Sequence, residues 1–160
     1  MIIVSDTSPI NNLAAIGALY LLRELYEVVI IAEAVYRELT DPNSPVAGAT
    51  EVQTFEWIQT RSLMNRTLLN ALSNELDPGE AEAIALAVEI KADQVLIDER
   101  RGRAVAARLS LQYTGVLVEA KSRELIPAVR PLLDALIDQA GFWMASSLYD
   151  RVLQQVKEED

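Results

Sequence analysis

Two aspartates in this chain each come directly after a predicted strand. Asp6 follows an apolar run at residues 2–5, and Asp98 follows another at 94–97. Both runs are typical of strands buried on both faces of a parallel sheet. Because ligands of such sheets bind beyond the carboxyl ends of the strands, we expect both carboxylates at the same edge. Asp6 alone is more simply explained as a helix cap, and its coincidence with Asp98 favours a site.

Two glutamates share a helical register with apolar residues. Glu80 lies in the first turn of a helix predicted from Asp77 onward, and Ile84 follows it at i+4. This spacing predicts that Glu80 lies on the inward-facing stripe, although an acid there also complements the helix dipole. Glu38 follows Ala34 at i+4 and is predicted to face the sheet; the alternative is a partly exposed glutamate at a helix end.

Four inward-leaning carboxylates need a compensating cation. The chain contains no His and no Cys, which excludes thiolate sites, disulfides and a Cys nucleophile. No lysine cluster accompanies the four acids, so Mg²⁺ or Mn²⁺ is the predicted counter-charge. Hard-cation sites of this kind often act on phosphates. Glu82 and Glu89 fall on a different face of the helix and are predicted to be ordinary solvated charges.

Polar and basic residues flank the predicted acidic site. Those close to Asp6 could contact water or a phosphate oxygen, or could simply cap a helix: Thr7, Ser8 and Asn12. Arginines directly after Asp98 could hold neighbouring phosphates of a polyanion, or could form a solvated basic face: Arg100, Arg101 and Arg103. The net charge of −10 argues against indiscriminate nucleic-acid binding. A structured or partner-delivered RNA fits this balance better.

The elements that position these residues alternate along the chain. Strands are predicted at 2–5, 28–31, 94–97 and near 111–114, with an extended stretch at 57–63. Helices are predicted at 11–26, 32–39, 47–53, 66–75, 78–91, 101–109, 116–123, 127–139 and 144–156. This alternation predicts an α/β fold with a parallel sheet of about four or five strands and an all-helical portion at 116–160.

The chain of 160 residues, 51% hydrophobic and 24% charged, is predicted to form one domain over residues 1–160. No basic region precedes the first apolar run, so no signal peptide is predicted. The most apolar stretch, 13–22, is about half a bilayer span. We expect a cytoplasmic protein without a membrane segment.

Five segments resemble one family in order along nearly the whole chain. They are VSDTSPINNLAAIGALYLLRELY, EAVYREL, LDPGEAEAIALA, VLIDERRGRAVAARL and LIPAVRPLLDALIDQAGFWMASSLYDRVL. These segments are similar to those of short prokaryotic PIN-domain proteins, among them the VapC toxins of toxin–antitoxin pairs. The resemblance implies a three-layer PIN-like fold, with a central parallel sheet and a helical C-terminal segment.

The resemblance also implies an activity and its residues. It implies an endoribonuclease that uses Mg²⁺ or Mn²⁺, forms a homodimer and is inhibited by a cognate antitoxin. The family's four acids fall on Asp6, Glu38, Glu80 and Asp98, with Glu99 able to share or take the fourth role. Asp6 and Glu80, with Asp98 or Glu99, would then be metal ligands.

Two departures from the family's pattern concern activity. The third acid is often Asp in such toxins, whereas Glu80 has a longer arm. The segment after the last strand is shortened, because Thr114-Gly115 passes directly to Val116.

Two other hydrolytic or binding functions stay open, and a third is discounted. A structure-specific DNA nuclease uses the same acidic metal site, and a catalytically degenerate PIN-like domain would serve as a binding module. A phospho-acceptor signalling domain would want paired acids after the first strand and a Lys after the last one, which this chain lacks.

Overall fold

A computed structural model describes residues 1–97, 110–111 and 113–159. Its centre is a sheet of five strands, all paired in parallel, in the order β3-β2-β1-β4-β5. The strands are β1 (Ile3–Ser5), β2 (Val29–Ala32), β3 (Ile58–Arg61), β4 (Gln94–Leu96) and β5 (Ser110–Leu111). The prediction of a parallel α/β sheet of four or five strands is confirmed.

The inner strands are buried throughout because both of their faces are covered. Each residue of β1 and β2 is buried, and Ile3, Ile31 and Leu96 are fully enclosed. Continuous runs of branched apolar residues suit such strands. The central strand β1 pairs with β2 on one side and with β4 on the other.

Nine helices are described, and they flank the sheet. They are α1 (Thr7–Ala15), α2 (Tyr20–Tyr26), α3 (Glu33–Thr40), α4 (Ala49–Thr54), α5 (Thr67–Leu72), α6 (Pro78–Glu89), α7 (Tyr113–Ser122), α8 (Arg130–Asp138) and α9 (Ser146–Gln155). Helix α6 packs on β1, β2 and β4 and also on α3, while α2 packs on β2 and on α7. The result is the three-layer architecture that the sequence predicts. The helix predicted at 101–109 lies outside the described residues.

The single helix predicted over 11–26 is wrong. The chain forms α1 and α2, separated at Gly17, which adopts a left-handed φ of 70°. The N–H of Ala18 reaches back to the carbonyl of Leu13 at 2.8 Å, and that of Gly17 to Ala14 at 3.1 Å. This is the glycine-dependent C-terminal cap that ends many helices. The first helix also begins earlier than predicted, at Thr7.

The last strand is shorter than predicted. Strand β5 covers Ser110–Leu111 instead of 111–114, and α7 begins at Tyr113. The described part of residues 116–159 contains helices and connecting turns, as predicted.

The C-terminal tail is held by one carboxylate. Glu158 accepts hydrogen bonds from the backbone N–H groups of Val129 (2.8 Å) and Arg130 (2.9 Å) at the start of α8. It also pairs with the Lys121 ammonium at 2.9 Å. Burial acts to raise the pKa of Glu158, but these three donors outweigh it and lower the pKa below its ordinary value.

Candidate active site

Asp6 lies where the order of the strands reverses. Successive strands add on one side of β1 as far as β3, and the chain then returns to place β4 on the other side. The backbone N–H of Asp6 donates to the carbonyl of Leu96 at 2.9 Å, which ties it to the end of β4. Its residue surface is only 4% exposed. In open parallel sheets, ligands bind in a crevice beyond the strand ends at such a switch point, and Asp6 lies at this position, directly after β1.

Glu38 lies near the same edge of the sheet, but on the exposed side of its helix. The prediction that it faces the sheet is wrong, because Glu38 lies on the exposed side of α3. Its Oε2 nevertheless accepts a hydrogen bond from the Thr7 hydroxyl at 2.6 Å. Thr7 follows Asp6 directly, so this bond places the Glu38 carboxylate next to the end of β1. Thr7 therefore positions Glu38 instead of serving only as a cap.

The start of α6 approaches Glu38 closely. Asp77 is the N-cap, and its side chain accepts from the N–H of Glu80 at 2.9 Å, with Pro78 in the first turn as predicted. A Cβ placed on Gly79 would lie 2.5 Å from Glu38 Oε1. A side chain at residue 79 would therefore displace the Glu38 carboxylate from its present position. Glu80 itself is 4% exposed, which confirms its inward position.

Glu82 is a buried acid that the sequence prediction missed. It is 5% exposed, and its Oε1 accepts from the N–H of Ala34 at 3.3 Å, in the first turn of α3. The prediction of a solvated Glu82 is therefore wrong. Alanines on every side of α6 were the available signal, because a helix apolar all round is buried all round. Residues Gly79 to Ala87 are in fact all buried.

Glu89 is also engaged in structure and is not a free solvated charge. Its carboxylate accepts from the N–H groups of Met64 (3.0 Å) and Asn65 (2.6 Å), and so holds the loop between β3 and α5. The helix α6 thus uses its acids for several tasks. Glu80 is buried in the first turn, Glu82 caps α3, and Glu89 anchors a loop.

Part of the predicted site lies outside the described residues: Asp98, Glu99, Arg100, Arg101 and Arg103. Of the other predicted contacts, Ser8 is exposed and Asn12 is half-buried. Within residues 1–97, 110–111 and 113–159, no group of three or more acidic residues lies close enough to hold a metal ion. The available ligands are carboxylate and hydroxyl oxygens, which suit a hard cation such as Mg²⁺ in type.

A family model described as a PIN domain matches residues 2–158. The chain belongs to this PIN-domain family. PIN domains are generally nucleases, and they typically use divalent metals and act on nucleic acid. No curated protein and no solved structure matched the chain. Among the described residues, no helix has both the length and the apolar character that crossing a membrane requires.

Proposed function

We propose that this protein is a metal-dependent endoribonuclease, the toxin of a toxin–antitoxin pair. The observation that carries the catalytic part is the convergence of three elements at one crevice. Asp6 directly follows β1, the Thr7 hydroxyl binds Glu38 of α3, and Glu38 also lies beside Gly79, one residue before Glu80 at the start of α6. Acidic residues near such a switch point are candidates for a functional site, and this supports the proposal.

The proposed ligands of Mg²⁺ or Mn²⁺ are Asp6, Glu80 and Asp98, with Glu99 able to share the fourth position. When bound, the ion supplies an activated water and charge stabilisation for the leaving oxygen. The burial of Asp6 and Glu80 fixes their positions with little rotamer freedom. Glu38 is exposed to solvent yet held by Thr7, so we assign it to orient the attacking water and to accept its proton.

The proposed substrate is RNA, and the proposed partners follow from the resemblance to VapC toxins. They are a cognate antitoxin and a second copy of the chain, in a cytoplasmic protein formed by one domain over residues 1–160. The net charge of −10 supports cleavage of selected RNAs, because an acidic protein does not attract phosphate backbones in general. The arginines at 100, 101 and 103 are the proposed contacts to neighbouring phosphates, with Thr7, Ser8 and Asn12 on the other flank.

The decisive experiment compares cleavage of single-stranded RNA and single-stranded DNA by the purified protein, with Mn²⁺ or with EDTA. Asp6→Asn and Glu80→Gln should each lower RNA cleavage by about 10²-fold or more. Glu24→Gln is the matched control, because Glu24 is an exposed carboxylate on α2 away from the crevice. The stabilisation of the folded protein by Mn²⁺, measured by thermal unfolding, should also be lost in both site variants.

Three outcomes would count against the proposal. Cleavage of RNA that persists at the wild-type rate in either site variant would contradict the site. Cleavage of DNA alone would favour the structure-specific DNA nuclease. No cleavage of either polymer, with intact folding, would favour the binding module.

A further inference from the structure

An open groove of about 1000 Å³ lies at the opposite edge of the sheet. It is lined by the outer face of α2 and by the segment before β3: Tyr20, Arg23, Glu24, Glu27, Thr54, Phe55, Glu56 and Trp57. Glu27 precedes β2 and Trp57 precedes β3, so in a parallel sheet both lie at the amino edge. Asp6 lies at the carboxyl edge, about 10 Å or more away along the strands.

The floor of the groove is aromatic. The rings of Phe55 and Trp57 are stacked, with centroids 5.8 Å apart and planes inclined by 29°. Phe55 is 42% exposed and Tyr20 is 49% exposed. The carbonyl of Trp57 accepts from Val29 at 2.9 Å, which fixes this segment to the sheet. Exposed ring faces on a rigid support bind apolar groups and planar cations.

The rim of the groove is acidic. The residues that line it include one cation, Arg23, and three carboxylates, Glu24, Glu27 and Glu56. In the part of the chain that the structure describes, none of these three carboxylates is engaged in an ion pair or a side-chain hydrogen bond. A cationic group bound here would therefore gain partners without breaking any internal pair.

The backbone at Glu27 is held in a conformation that side chains rarely adopt. Its φ and ψ are 66° and −54°, and the N–H of Val28 donates to the carbonyl of Tyr26 at 2.7 Å. This is a γ-turn with positive φ, which is rare and strained. Glu27 itself is one of the residues that line the groove.

We propose that this groove binds an arginine-containing, partly apolar segment of a partner protein. A guanidinium can stack on the Phe55 and Trp57 rings while it pairs with a rim carboxylate. The acidic rim repels phosphates, which disfavours nucleic acid as the occupant. A second copy of this chain, with its net charge of −10, is a poor match for the acidic rim, so the proposed homodimer would use another surface. The inference stands on this surface alone and does not depend on the proposed nuclease activity.

The test uses a short fluorescein-labelled peptide of alternating arginine and leucine, with a glutamate-for-arginine version as the negative probe. Anisotropy titrations should show binding of the arginine peptide alone. The double variant Glu24→Lys/Glu56→Lys should weaken it by on the order of tenfold, and Phe55→Ala should weaken it severalfold. Asp138→Lys/Glu159→Lys is the matched control, with the same change in net charge at exposed sites elsewhere. It should stay within about twofold of the wild type.

Several results would overturn the proposal. Equal weakening in the two charge-reversed variants would show general attraction only, and equal binding of both peptides would show no charge preference. Displacement of the peptide by a single-stranded RNA oligonucleotide, or a dimer of the chain that the groove variant abolishes, would assign the groove to another occupant. RNA cleavage should be unchanged in the groove variants, which separates this test from that of the active site.

Discussion

Substituting Gly79 with alanine should remove activity while leaving the fold intact. The added Cβ would lie 2.5 Å from Glu38 Oε1 and 3.0 Å from both Cδ and Oε2, against about 3.4 Å for ordinary contact. The carboxylate must therefore withdraw by about 0.9 Å, and this loosens its bond to Thr7. A misplacement of about 1 Å in a catalytic group can cost about 10²-fold in rate, and we expect a loss of that size.

The free energy of unfolding of Gly79→Ala should rise slightly or stay nearly unchanged. Glu38 is the exposed end of a flexible side chain, so it can move at small cost. Alanine in a helix is favoured over glycine by up to about 1 kcal/mol. The free energy of unfolding of Gly79→Ala, from urea denaturation, should thus lie within about 1 kcal/mol of the wild type.

A second glycine offers the matched control. Gly115 lies in α7, and a Cβ there would meet only Leu111 Cδ1 at 3.8 Å, an ordinary contact. Gly115→Ala should keep full RNA cleavage. In a Glu38→Ala background, adding Gly79→Ala should cause no further loss, because the clashing carboxylate is gone. Wild-type cleavage by Gly79→Ala, or a loss of stability well above 2 kcal/mol, would refute this account of the crevice.

Two further predictions concern carboxylates that hold the fold. Glu82→Ala should lower the free energy of unfolding by about 2 kcal/mol, because it leaves the N–H of Ala34 without its buried acceptor; Glu82→Gln should recover part of this, and equal losses in the two variants would contradict the cap. Glu158→Gln should lower the melting temperature at neutral pH. Since the folded-state pKa of Glu158 lies below 4.5, its contribution is present above that pH and is lost as the pH falls through the folded pKa, so wild-type and variant melting temperatures should converge in acid. A constant difference at all pH values would exclude the charged form as the stabilising one.

The sequence predicted those elements whose signals are local. The branched apolar runs of β1 and β2 and the Asp77-Pro78 start of α6 were identified because neighbouring residues alone determine them. Gly17 shows the limit of this approach, since a glycine inside an apolar period is compatible with both a continuous helix and a capped break. The structure shows the capped break, in which the N–H of Ala18 bonds to the carbonyl of Leu13.

The sequence predicts the burial of two candidate residues but not the environments of Glu38 and Glu82. Asp6 and Glu80 are buried, as their strand and helix registers indicate. Glu38 was assigned to the buried face, yet α3 presents it to solvent and a hydroxyl from another element draws it to the crevice. The burial of Glu82 escaped prediction because a helical register shows which residues share a face, but not how many faces the rest of the protein covers.

The central position of β1 also determines when the crevice can exist. Asp6 directly follows β1, but β1 pairs with β4 about 90 positions later in the chain, where Ile3 lies opposite Gln94 and Asp93 bonds back to Ile2. In a ribosome-bound chain that lacks β4, one edge of β1 has no strand to pair with. Contacts so distant in sequence form late in folding. A nascent or truncated copy without β4 therefore has Asp6 but not the strand beside it, and the crevice cannot assemble until β4 has been synthesised.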